Sequence, residues 1–109
     1  MTDTPLSTLA DIATEAHTKI QQDFQNIDPI IGINRGMRAN GIPADAMTID
    51  CLKTGKRIII VLHDDRPDSL SYQFSFKDQD ALDDFSHVSL KQLTSQMMYD
   101  WIKGYFSDQ

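Results

Sequence analysis

Cysteine, glutamate and long apolar runs are what this 109-residue chain has least of. Cys51 is the one cysteine, so no disulfide can close within the chain, and a reducing compartment is the expected setting. The longest apolar run, Ile58–Leu62, falls far short of the ~20 residues that a membrane-spanning helix needs. Met1-Thr2-Asp3-Thr4-Pro5 has neither a basic n-region nor an apolar h-region, so no secretory signal is expected. The protein is therefore expected in the cytoplasm. Also missing are Gly-x-Ser-x-Gly, a Walker phosphate loop, Gly-x-Gly-x-x-Gly and His-Glu-x-x-His, each of which carries a defined chemistry.

What is present is enough to fold. Apolar residues make up 40%, above the range of disordered chains, and charged residues 24%, close to the globular average. The length suits one domain over 1–109. The net charge is -6, which argues against nucleic-acid binding, because that needs a cationic footprint. Fifteen of the sixteen acids are Asp, with Glu15 the exception. Asp favours caps and turns over helix interiors, so the negative charge is expected at connections. The charge is uneven: residues 35–66 carry a net +2, between flanks of -4 each.

Apolar periodicity assigns the elements. Leu6, Leu9, Ala13, Ala16, Ile20, Phe24 and Ile27 repeat every three or four residues and predict a helix over about 5–27, capped by Thr4 with Pro5 in its first turn. Asp28-Pro29 repeats that start signal. Ile30, Ile33 and Met37 keep helical spacing and Asn40-Gly41 reads as a stop, so a second helix is expected over about 29–40. Gly32 and Gly36 disfavour it by about 1 kcal/mol each, and a structured loop is the alternative.

Met47, Ile49 and Cys51 then alternate with Thr48 and Asp50, as in a half-buried strand. Lys53-Thr54-Gly55-Lys56 reads as a hairpin turn. Residues 56–63, apolar on both faces, predict a central strand. In the strand expected over 69–76, Leu70, Tyr72, Phe74 and Phe76 oppose Ser71, Gln73 and Ser75. Residues 77–84 are acidic, with room for a helical turn. Leu90, Leu93, Met97, Met98, Trp101, Ile102, Tyr105 and Phe106 predict a closing helix over about 90–107. Ser89 with Gln92 could cap it, or Thr94 could cap a later start and leave 86–92 extended. The expected fold is α+β in the order α-α-β-β-β-α. It has a three-stranded antiparallel meander, order 1-2-3, with helices packed on one face.

No constellation makes an enzyme of this pattern. His17, His63 and His87 are scattered and offer no zinc spacing. Asp78, Asp80, Asp83 and Asp84 fail the calcium-loop pattern, because the sixth position counted from Asp78 is Asp83 and not Gly. No metal and no cofactor is implied. Two segments are candidate ligand sites. Arg35 and Arg38 lie in the glycine-punctuated stretch Gly32–Gly41, where amides and guanidinium groups suit an anion. His63 and Asp65 lie where the central strand opens into the turn ending at Arg66, with the makings of a base or a ligand contact.

Two further features suggest association. Ile59 and Val61 sit on the otherwise polar face of the sheet, and Trp101 and Phe106 belong to a helix face broader than a core needs. Open sheet edges must also be covered, charged or paired. The expectation is a small cytoplasmic interaction or accessory module without a catalytic site, acting on a protein partner or on itself as a homodimer. The alternative is a small-molecule or anion binder, or a minor enzyme, using Arg35, Arg38, His63 and Asp65.

Overall fold

The structure is a computed structural model and describes residues 5–24, 27–66, 68–76 and 85–106. Helix α1 (Pro5–Asp23) leads into strand β1 (Ile30–Asn34) and a one-turn helix, α2 (Gly36–Ala39). Strands β2 (Ala44–Asp50), β3 (Lys56–His63), β4 (Ser69–Phe76) and β5 (Ser86–Ser89) follow, and helix α3 (Ser95–Phe106) closes the order. The class is α+β, as the periodicity implied. The sheet has five antiparallel strands in the order β1-β2-β3-β4-β5, two more than the expected three.

The first extra strand corrects the predicted helix over 29–40. Positions 30, 33 and 37 satisfy a helical period, but Ile30-Ile31-Gly32-Ile33 is equally β-prone, and pairing decides the outcome. Ile31 lies opposite Ile49 and Ile33 opposite Met47, so β1 lengthens the apolar sheet face. Only 36–39 is helical. A Cβ on Gly32 would be in ordinary contact with Thr48 Oγ1 at 3.4 Å, so the position would admit a side chain. The stop signal holds at Gly41, whose φ of +88° suits glycine.

The second extra strand, β5, corrects the predicted helix start at 90. Residues 86–89 are extended, and the Met97 amide donates to Thr94 Oγ1 at 3.1 Å, so the helix is capped at the later of its two candidate starts. At the other end, α1 stops at Asp23 rather than 27. Phe24 N–H still donates to the Ile20 carbonyl, while Ile27 and Pro29 are buried beyond it and aim the chain into β1. Thr4, the last predicted residue at 107 and the possible turn within 77–84 lie outside the described residues.

The hairpin at 51–55 closes through Gly55 N–H to the Cys51 carbonyl at 2.8 Å, with Gly55 at φ +75°. Strand alternation then divides the sheet into two faces. On one face Met47, Ile49, Cys51, Ile58, Ile60, Leu62 and Leu70 are buried under α1 and α3. From α1 come Leu9, Ala13, Ala16 and Ile20; from α3 come Met98, Ile102 and Phe106, at helical spacing. Tyr99 Oη donates to Asp23 Oδ2 at 2.5 Å and Ser95 Oγ to Glu15 Oε1 at 3.0 Å, tying the two helices together.

The opposite face has its own small apolar cluster. Ala44, Ala46 and Val61 are buried there, with Met37, Ile59 and Phe85 packed against them. Beside it Arg57 forks onto Asp50, with Nε–Oδ1 at 2.6 Å and Nη2–Oδ2 at 3.0 Å.

Candidate functional site

The two candidate ligand segments do meet, through Arg38. Its Nε and Nη2 donate to the Asp45 carboxylate at 3.0 and 3.1 Å. Its Nη1 and Nη2 donate to Asp64 at 2.9 and 2.8 Å. Local structure explains the reach. The single turn of α2 carries Arg38 past the end of β1 to the start of β2, and Asp64 sits just after β3, its N–H donating to the Pro43 carbonyl. These hydrogen bonds hold the Asp45 and Asp64 carboxyls below the ordinary carboxylate value. Arg38 is thus a structural latch with its donors directed at two carboxylates, which corrects its assignment to an anion site. Arg35 lies 3.9 Å from the nearly buried Asp45 carboxylate and is itself well exposed.

His63 and Asp65 fall in a different place, a cleft of about 290 Å³ at one end of the sheet. Arg66, Ser69, Ser71 and His87 complete its lining. The register builds this wall: Ser71 pairs with His87 and Ser69 with Ser89, and alternation turns Ser69, Ser71 and His87 to the face away from α1 and α3. Ser71 Oγ and His87 Nδ1 are 2.9 Å apart. The turn is fixed by its backbone, Arg66 N–H to the His63 carbonyl at 3.1 Å and Ser69 N–H to the Arg66 carbonyl at 3.2 Å.

Of this set only His63 and Asp65 are ligand candidates on sequence. Ser71 belongs to the polar alternation of β4, and Ser69, at the start of the strand, continues it. His87 lies sixteen residues from Ser71, and no spacing rule links them. A hydroxyl beside an imidazole suggests a nucleophile and base, but that chemistry also needs a group orienting the far imidazole nitrogen and an oxyanion donor. No carboxylate hydrogen-bonds His87 among the described residues. Nor is any group of three or more His, Cys, Asp or Glu among them placed to hold a metal ion.

The four candidate interface residues are all engaged within the chain. Phe106 is 2% exposed and Val61 9%, so both are core and correct the expectation of a surface role. Ile59 is half-buried against the cluster of Ala44, Ala46 and Val61, so the apolar pair on this face is packed within the chain. Trp101 stacks on Tyr72 at 4.4 Å between ring centroids and meets Phe74 edge-on at 6.1 Å.

Phe74, beside Trp101, is 42% exposed and Phe76 39%, Ile42 and Leu52 are exposed in connections, and β1 adds two more. Ile30 and Ile33 of β1 are 46% and 47% exposed. β1 has β2 on one side and no described strand on the other. Ile33 and Arg35 border a groove against Leu6, Ser7 and Ala10 of α1. Among the described residues no helix is long and apolar enough to cross a membrane. Comparison of the chain with protein-family models, with curated proteins and with solved structures gives no match.

Proposed function

We propose that the chain is an interaction module that works by binding rather than by catalysis and assembles as a homodimer, β1 pairing antiparallel with β1 of a second copy. The observation that carries this reading is the edge of β1, which no described strand covers, an uncharged strand with Ile30 and Ile33 about half exposed. Edge strands in soluble monomers are commonly blunted by lysine, proline, a bulge or brevity. Ile30–Asn34 contains neither lysine nor proline. The other edge, β5, is only four residues, Ser-His-Val-Ser, and suits a free edge better.

The sequence of β1 is also self-complementary. A two-fold axis at Gly32 sets Ile31 opposite Ile33 of the second copy, twice, on the face under the helices. Cross-strand β-branched pairs of this kind stabilise a sheet. The groove between Ile33 and Leu6 would then lie along the seam, where α1 of each copy adds apolar surface. The result is one ten-stranded sheet with isologous contacts, the commonest symmetry of small homo-oligomers. In this reading the protein is cytoplasmic, keeps Cys51 as a buried thiol, and has neither nucleic acid nor membrane as its partner.

The test is light scattering coupled to size exclusion. Wild type is expected at twice the 12.4 kDa chain mass. Ile33→Lys, which sets a charge on the edge at a half-exposed position, is expected at the monomer mass with unchanged circular dichroism. A monomeric wild type, or a dimer untouched by Ile33→Lys, overturns the proposal.

A further inference from the structure

We propose that the cleft between the end of β3 and the outer faces of β4 and β5 binds the phosphate of a small hydroxylated phosphate monoester. The argument begins with the arginines. Arg38 and Arg57 fork onto carboxylates and Arg35 lies 3.9 Å from one. Arg66, the fourth, has no carboxylate partner among the described residues, although hydrogen bonds on both sides fix its backbone. A guanidinium on a fixed backbone, with no described carboxylate on its fork, suits phosphate recognition.

The rest of the lining adds to it. Ser71 and His87 form a pair whose geometry directs the imidazole. When the hydroxyl donates to Nδ1, the ring proton resides on Nε2, which is left to donate to a ligand. His63 and the Ser69 hydroxyl supply further donors. Two imidazoles, a guanidinium and a free hydroxyl outnumber what a carboxylate can accept and suit the three terminal oxygens of a phosphate monoester. The volume of about 290 Å³ fits a ligand of a few carbons beyond the phosphate.

The local charge also allows an anion in a chain of net charge -6. Asp64, next to His63, shares Arg38 with Asp45, and Arg35 lies 3.9 Å from Asp45, so two arginines balance the two carboxylates. Asp65 is the one carboxylate in the lining among the described residues. It would repel a bare phosphate but accept a hydrogen bond from a ligand hydroxyl, which is why a hydroxylated monoester is favoured over inorganic phosphate. The site draws on β3, β4 and β5 alone, at the opposite side of the sheet from β1, so it stands or falls separately from the dimer.

The experiment is isothermal titration of the full chain with glycerol 3-phosphate, inorganic phosphate and zinc chloride. One glycerol 3-phosphate per chain is expected, bound more tightly than inorganic phosphate. Arg66→Ala and His87→Ala should each weaken it about tenfold, the loss of one charge-assisted contact. Asp65→Asn should remove the preference for glycerol 3-phosphate over inorganic phosphate. Arg66, His87 and Asp65 are exposed, so the variants should keep the wild-type Trp101 fluorescence. The proposal is overturned if neither phosphate binds, if both Arg66→Ala and His87→Ala bind like wild type, or if zinc alone binds and His87→Ala abolishes it.

Discussion

Ile59 and Ile60 are adjacent, chemically identical and on opposite faces of β3, so truncating each in turn tests the assignment of the two faces. Ile60 is fully buried, with Met47 and Tyr72 as its cross-strand neighbours and the helices above. Ile60→Ala removes three carbons, about 2.4 kcal/mol of transfer free energy. The central strand is paired on both sides and cannot collapse into the space, so a cavity term of about 1.5 kcal/mol adds to it. The expected loss is about 4 kcal/mol, a large share of the stability of a small domain. In thermal terms that is roughly 15–30 °C in Tm. Ile59, half-buried between Thr48 and Gln73 on the outer face, should cost about 1 kcal/mol on truncation, since less of it leaves water. Urea denaturation monitored by fluorescence measures both. The single tryptophan, Trp101, reports directly because its ring stacks on Tyr72, the partner of Ile60. Equal losses, or a larger loss for Ile59, would refute the assignment of the helix-covered face as the core.

Three other outcomes are expected. In Arg38→Met the Asp45 and Asp64 carboxyls lose the hydrogen bonds that depress them. A depressed folded-state value contributes stability above the unfolded carboxylate value and loses it as pH falls through the folded one. Wild type should therefore exceed Arg38→Met in stability near neutrality, and acid denaturation curves should converge below pH ~4; a gap that stays constant in acid would count against the latch. Thr94→Ala removes the cap of α3 and should lower stability by about 1 kcal/mol, with no loss for Ser89→Ala beyond a few tenths of that. Gly55→Ala forces a Cβ onto a residue at φ +75° and should cost about 1 kcal/mol in chemical denaturation, whereas Gly104→Ala, in α3 with open space around it, should gain a few tenths.

Much of this architecture is legible in the residues themselves, and the exceptions have one cause. β4 is readable because its alternation runs for eight residues and fits no helical period, and β3 because a short run apolar on both faces suits a central strand. Residues 30–34 fit both periods, and what selects the strand is pairing with β2, a contact that local pattern does not contain. Ser86–Ser89 is too short to alternate convincingly, and pairing with β4 again decides it. The breadth of the α3 face concealed which of its residues point inward. Met98, Ile102 and Phe106 do, at steps of four, while Trp101 and Tyr105 take the flank over Tyr72 and Phe74. Site residues followed the same rule. His63 and Asp65 stand out beside a turn, but Ser69, Ser71 and His87 acquire a role only when β5 pairs with β4. Arg38 looks available in sequence and is not, because Asp45 and Asp64 arrive from two other segments.

The central claim, self-association through β1 about Gly32, has a register that one cross-linking measurement reads. The two-fold pairing sets residue 32 opposite itself, within the distance that a disulfide spans, whereas residue 30 lies ~13 Å from its own copy. Gly32→Cys, where a Cβ has ordinary room beside Thr48, is expected to give a covalent dimer on mild oxidation, and Ile30→Cys is not; the native Cys51, 6% exposed, should stay unreacted in both. A Gly32→Cys protein that remains monomeric under non-reducing electrophoresis, or an Ile30→Cys protein that cross-links as readily, would contradict the account.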